Sequence, residues 1–533
     1  MGLLDRNEHL SRLENEFEVL VIGGGATGLG IAVDAASRGY QTALIEAQDF
    51  ASGTSSRSTK LIHGGVRYLA QGRIGLVREA LQERALLRRN APHLVKELPI
   101  ILPSYAWHSL PMYAAGLKLY DALAGRTGFQ PSRLLSRSEV LKRLPGINPD
   151  GLQGGVLYHD GQFDDARLAI ALAQTAAEQG AVVCNYVRAR RFVYAGTRIA
   201  GVVATEIESG ATLAIKSRVI VNATGMASDS IRQLDRAKAE PGVTYSQGSH
   251  IVLPCTLLGE RDALLVPRTE DHRVIFATPW LGHLLVGTTD IAVQNPAADP
   301  VPTRDEVRYL LEHINRYLAR GAGDNDISAA FAGIRPLVTQ RSASTARLSR
   351  EHHVETAESG LVSITGGKWT TYRKMAEDTL NAAIAAGQLQ RRRCVTRELA
   401  LHGAGDDAVQ AGDALEAYGT DAKAVRALVE SDPSLAAPIH NVLAYSCAQV
   451  AYAVRHEMAR TVDDVLARRT RALFLDTNAS LQAAARVAVI LARELGRSPE
   501  WQTTQLESLR EKGERTMGAC GLTGGAGRNR TDV

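Results

Sequence analysis

From Phe17 to Glu46 the chain runs through EVLVIGG, GATGLGIAVDAASRG and YQTALIE. These are an apolar β-branched run, a glycine cluster opening a small-residue stretch of helical spacing, and a second apolar run. A strand that enters a helix through Gly23, Gly25 and Gly28 in GxGxxG order, and then returns as a strand, is one βαβ unit. Gly23 permits the tight turn, Gly25 lets backbone approach a pyrophosphate, and Gly28 lets the helix pack on the strand. The helix N-terminus then presents free N–H groups and a positive dipole end to the phosphates. Seventeen residues separate Gly28 from Glu46, which ends the second strand where a carboxylate can accept from ribose hydroxyls. The pattern predicts a bound dinucleotide. A glycine-rich turn without a ligand is the competing reading.

The remaining length supports that unit generously, since 533 residues allow a sizeable core and about three domains of about 150 residues each. Hydrophobic residues at 45% and charged residues at 22% are those of a folded globular chain. With 61 basic against 57 acidic residues the net charge is +4, too even for a chain whose main partner is nucleic acid. Cys184, Cys255, Cys394, Cys447 and Cys520 are scattered with no metal-ligand spacing, so no metal site is expected and a reducing compartment fits best. The first residues lack the apolar core of a secretory signal, and no apolar run reaches about 18 residues.

Further along, DDARLAIALAQTAAEQGAVVCNYV repeats the helix-then-strand grammar, with Asp164 or Asp165 as N-cap, and Arg191 to Gly225 reads as a meander of short strands. Two later segments bear on the cofactor. VIVNATG, ending at Gly225, resembles the second strand-turn by which the glutathione-reductase-like FAD folds close on their cofactor. SITGGKWTTYRKMAE resembles their last strand, glycine turn and helix, with Gly366, Gly367 and Thr370 near the flavin. FAD is therefore expected in preference to NAD. Past about Ala400 the chain is Ala-, Leu-, Arg- and Asp-rich with helical spacing, and its Arg455, Arg460, Arg468, Arg469 and Arg471 read as a solvated helix face.

Taken together, TSSRSTKLIHGGVRYL, QGSHIVLP, VGTTD, AGIRPL and GGKWTTYRKMAE resemble the FAD-dependent glycerol-3-phosphate dehydrogenase family, closely over residues 15 to 390 and more loosely through HEMARTVDDVLARRTRALFLD. The resemblance implies an α/β, Rossmann-like FAD-binding fold of the glutathione-reductase/D-amino-acid-oxidase type. Residues 15–105, 156–240 and 356–395 would form the FAD-binding domain and 106–155 and 241–355 an interleaved antiparallel-sheet substrate domain. A C-terminal helical domain, 396–515, and a disordered tail, 516–533, would follow. It implies oxidation of sn-glycerol 3-phosphate to dihydroxyacetone phosphate, with FAD taking two electrons.

Site roles follow the same resemblance. Arg67 and Arg350 match phosphate ligands, where the guanidinium fork suits phosphate oxygens, and Tyr68 adds a neutral donor. Arg335 and Lys368 match positions facing the substrate hydroxyls and flavin, where fixed positive charge favours a developing alkoxide. His63 and His250 are both candidates to accept the C2 hydroxyl proton, imidazole having a reference pKa of about 6.5. Ser55 and Ser56 are the hydroxyls expected to reach the pyrophosphate. The chain departs from its relatives' usual pattern at MASDS (Met226 to Ser230) and at Trp369, where relatives often carry leucine.

The family's branches differ in electron acceptor. Only Cys447 and Cys520 fall in the C-terminal region, against a cysteine-rich extension in the subunit-coupled branch, and no DxDxDG calcium loop occurs. A quinone-reducing, bacterial-type respiratory enzyme is the expectation. It would be peripheral on the cytoplasmic face of the inner membrane, and a homodimer is compatible with it. The alternatives are an oxygen-using glycerol-3-phosphate oxidase and a non-catalytic flavin-binding interaction protein. Ser104 to Arg126 offers a membrane-facing stripe of Tyr105, Trp107, Met112, Tyr113, Leu117, Tyr120 and Leu123. Burial of that helix against the substrate domain is the competing reading.

Overall fold

The strand Glu16–Ile22 is the spine of the first sheet, parallel to Thr42–Ile45 on one side and to Thr212–Asn222 on the other. Its residues from Val19 onward are buried on both faces, as a parallel strand covered by helices requires. Val182–Cys184 extends the sheet beyond Thr42–Ile45, while Val362–Gly366 and then His352–Thr356 extend it at the opposite edge. The helix Ala26–Ser37 covers one face and packs beside Tyr372–Ala386, with Gly30 lying under the Tyr372 ring. Asp164 caps the neighbouring helix, Asp165–Glu178, by accepting from the backbone of Ala166 and Arg167.

This computed structural model describes residues 2–69, 72–106, 108–125, 128–266, 273–339, 351–408 and 412–522. Trp107, Arg126 and Arg350 lie outside the described residues, and of Arg67 only the backbone is described.

A second, mostly antiparallel sheet of ten described strands is centred on Val243–Pro254, which pairs with both His283–Gly287 and Ala329–Val338. Its membership moves several expected boundaries. Leu61–Ile62 and Val95–Ser104, expected in the first domain, pair with Gly154–Phe163 in this sheet, while His352–Thr356 belongs to the first sheet. Long-range pairing decides such borders, and periodicity does not report it. The helices Ala422–Ser431, Cys447–Glu457, Thr477–Leu495 and Pro499–Ala519 form the C-terminal region. They share one apolar core with Trp280, Leu285 and Phe331 of the second sheet. The last helix runs into the expected tail, and Met517 and Cys520 are buried against the second sheet's core.

The expected membrane stripe is divided by the fold. In the helix Ser109–Ala124, Leu117 and Tyr120 point inward and are 2% exposed, and the Tyr120 hydroxyl donates to Asp160 at 2.8 Å. Tyr105 donates to the Asn148 carbonyl. Met112 and Leu119, 65% and 47% exposed, are the large apolar side chains that face outward. No helix among the described residues is long and apolar enough to cross a membrane.

Candidate active site

The glycine turn is shaped as its spacing demands. Gly23 has φ +115°, and a Cβ there would lie 2.6 Å from the Ala223 carbonyl oxygen; one on Gly28 would lie 1.9 Å from the Gly23 oxygen. Backbone occupies both places, so only glycine fits. Glu46 accepts from the amides of Gly24 at 2.6 Å and Gln48 at 2.8 Å. Burial raises its pKa, with these N–H bonds opposing.

One cavity of about 1160 Å³ begins at this turn and continues to the second sheet. Gly23, Gly25, Glu46, Ser55 and Gly225 line its first part. The far part is lined by His63, Tyr68, His250, Arg335, Lys368 and the Gly366–Gly367 turn. The volume exceeds the roughly 300–1,000 Å³ of an ordinary small-ligand pocket, and a lining that reaches from the glycine turn to the second sheet suits a dinucleotide plus a small substrate. The residues therefore fit FAD: glycines that a Cβ would block, a carboxylate and a helix N-terminus at one end, and cations at the other.

The hydroxyl-rich loop has two faces. Ser55 turns inward to the cavity, where its Oγ accepts from the Ala26 amide at 2.9 Å. Ser56, expected beside it, is instead buried behind the wall at 1% exposure, because its carbonyl is claimed by Lys60 Nζ at 2.8 Å and Arg471 Nη2 at 2.6 Å. Of the loop's cations, Arg57 and Lys60 are structural. Arg57 bonds the carbonyls of Pro300 and Ala332, and Lys60 pairs with Asp165 at 2.7 Å. Burial lowers the Lys60 pKa to about 7 against the pull of Asp165.

At the far end, Arg335 donates to Thr288 Oγ1 at 2.9 Å and the Thr289 carbonyl at 3.2 Å, and its guanidinium lies flat against Gly248. Lys368 Nζ sits 4.0 Å from the centre of the Tyr68 ring. Thr370 Oγ1 bridges the His63 amide and carbonyl at 3.3 and 3.4 Å. Thr370 thus braces the histidine turn. The His250 ring stacks on Phe331, and its Nε2 meets Thr59 Oγ1 at 3.0 Å. Burial, with Lys60 and Arg335 adding to it, lowers its pKa well below the ordinary value, because both disfavour the charged imidazolium.

Residues 18–373 match the family described as FAD dependent oxidoreductase, and residues 362–502 match the C-terminal domain of alpha-glycerophosphate oxidase. The mitochondrial glycerol-3-phosphate dehydrogenase of Homo sapiens is 39% identical, over 95% of this chain and 74% of its own. The chain belongs to the FAD-dependent glycerol-3-phosphate dehydrogenase family. Its cofactor is FAD. Another family member, mitochondrial glycerol-3-phosphate dehydrogenase SDP6 of Arabidopsis thaliana, is 40% identical over 93% of this chain and 85% of its own. The glycerol-3-phosphate dehydrogenase of Bacillus halodurans, solved with FAD, superposes with a TM-score of 0.79 at 30% identity, covering 96% of this chain and 98% of that one.

Several groups that shape this site within the family fold carry no sequence signal. Arg273 lines the cavity from just before the strand Ile275–Trp280, without a surrounding motif. Asp160, held by Arg84 at 2.5 Å, anchors Tyr120, whose hydroxyl accepts from the Gly64 amide beneath the histidine turn. Trp369, noted as a departure, donates its indole N–H to the Ser55 carbonyl at 2.9 Å. The arginines read as a solvated face are the clearest correction. Arg468, Arg469 and Arg471 are at most 4% exposed, whereas Arg455 and Arg460 pair with Glu494 and Glu208 nearer the surface.

Proposed function

We propose that this protein oxidises the C2 hydroxyl of sn-glycerol 3-phosphate to the ketone of dihydroxyacetone phosphate. FAD, when bound, supplies the acceptor for the hydride and so for both electrons. The observation carrying this reading is that Arg335, Lys368 and the Gly366–Gly367 turn line the same cavity as the dinucleotide turn. Fixed cations there favour alkoxide character at C2 and negative charge at the cofactor. In this reading Arg67, Tyr68 and Arg350 hold the phosphate, whose charge of about −2 scarcely changes during reaction. The hydroxyl proton passes to His63 or His250. The burial that lowers the His250 pKa also weakens it as a base, and the pH profiles of His63→Asn and His250→Asn separate the two.

Electrons then pass to a membrane quinone, with the enzyme lying on the cytoplasmic face of the inner membrane. This is supported by the helix Ser109–Ala124, which exposes Met112 and Leu119 while Tyr113 lines the cavity. Anaerobic addition of sn-glycerol 3-phosphate to the purified holoprotein should bleach the flavin absorption, and glycerol at the same concentration should not. Equal bleaching by both would overturn the substrate reading, and stoichiometric hydrogen peroxide in air would replace quinone by oxygen as acceptor.

A further inference from the structure

The buried arginines of residues 468–471 act across the molecule. Segment 49–56 walls the dinucleotide end of the cavity and braces the glycine turn, since the Ala51 amide donates to the Gly24 carbonyl at 2.9 Å and Ser55 Oγ accepts from Ala26. Both ends of that segment are gripped from the C-terminal region. At the first end, Arg469 presents two N–H groups to the Asp49 carboxylate at 2.7 and 2.9 Å, and Arg468 Nε adds a third at 2.5 Å. At the second, Arg471 Nη2 donates to the Ser56 carbonyl at 2.6 Å and to Asp165 at 3.1 Å.

We propose that the C-terminal helical domain sets the affinity for FAD by fixing this segment, with Arg469 and Arg471 as positioning residues that never touch the cofactor. The grip itself is rigid. Arg469 also bonds the Glu457 carbonyl at 2.7 Å, Arg471 bonds the Ala467 carbonyl at 2.7 Å, and Arg468 is tied to Asp463 and Asp464 at 2.9 and 2.6 Å. Asp49 itself is fully buried, and the arginines outweigh burial to hold its carboxyl below the ordinary range. A two-pronged guanidinium–carboxylate contact fixes direction as well as distance, so the wall's position is inherited from the helical domain.

The test measures FAD binding to apoprotein by quenching of flavin fluorescence, a readout independent of whether glycerol 3-phosphate is the substrate. Arg469→Met leaves Asp49 with Arg468, and Arg471→Met leaves Asp165 with Lys60 and Ser58, so neither strands a buried charge. Each should raise the FAD dissociation constant about tenfold or more, the loss of one charge-assisted contact. Arg469→Lys keeps the charge but not the fork and should raise it about threefold. Leu491→Ala, in the core of the helical domain and away from the segment, should lower the melting temperature while leaving FAD affinity within about twofold. Parental affinity in both methionine variants, or an equal loss in Leu491→Ala, overturns the proposal. If neither methionine variant folds, parental affinity in Arg469→Lys overturns it alone.

Discussion

Gly248→Ala is the sharpest available test of the role proposed for Arg335, because it leaves the arginine in the sequence and moves only its guanidinium. Gly248 and Arg335 lie on paired strands, and a Cβ at Gly248 would stand 2.3 Å from Arg335 Nη2 and 2.6 Å from the guanidinium carbon. Relief to ordinary contact, about 3.5–4.0 Å, requires Nη2 to move away by about 1.2–1.7 Å. That shift loosens its bonds to Thr288 Oγ1 and the Thr289 carbonyl, 2.9 and 3.2 Å long. The clash falls on the tip of a flexible side chain, so neither strand must move, and fold and flavin content should be preserved. A displaced charge-assisted contact is worth about 1.5–3 kcal/mol, which is about 10- to 150-fold in rate. Steady-state kinetics with sn-glycerol 3-phosphate should therefore show kcat/KM reduced within that range, bounded by the loss in Arg335→Ala. A fully flavinated Gly248→Ala enzyme within about twofold of the parent would refute the reasoning.

Three further outcomes are expected. Arg335→Ala should mainly lower kcat and Arg350→Ala mainly raise KM, since charge develops at the first position and not at the phosphate; steady-state kinetics checks the division. His402 lies between Glu178 at 2.6 Å and Asp421 at 2.7 Å, and although burial opposes it these bonds push its pKa from 6.5 up to about 9. The folded value exceeds the unfolded one, so the stabilisation is fully present below about pH 6.5 and is lost as pH rises through about 9. It is worth about 3 kcal/mol, and the melting-temperature gap between the parent and His402→Gln should shrink over that window. Finally, Met112→Ser with Leu119→Ser should reduce co-flotation with liposomes without changing soluble turnover, whereas unchanged flotation would exclude this helix as the contact.

How far the molecule was legible in its sequence depended on the range of each constraint. Gly23, Gly25 and Gly28 were readable because their spacing sits inside one contiguous strand-turn-helix unit, where Gly28 packs on the Gly23 carbonyl, and Glu46 follows at a fixed distance along the same unit. Arg468, Arg469 and Arg471 were not. A basic run looks the same whether solvated or buried, and what decides is Asp49, about 420 residues earlier, with Asp165 about 306 residues earlier. Ser56 was lost for the same reason, its carbonyl being claimed by Arg471. In the helix Ser109–Ala124 the apolar spacing was visible, but the inward side is settled by Asp160 and the Gly64 amide, which turn Tyr120 into the core. The strand Val95–Ser104 fell to the other sheet because only its ten-residue pairing with Gly154–Phe163 assigns it.

The Trp369 indole, bonded to the Ser55 carbonyl in the cavity wall, gives this enzyme an optical gauge of its own. Indole emission overlaps flavin absorption, so an indole in the wall of the flavin's cavity loses its excitation to the bound ring. Loading and release of the cofactor are then visible in intrinsic fluorescence without a label. Trp369→Phe should diminish that signal, the chain's other three tryptophans contributing the remainder, while the flavin's own absorption still reports binding.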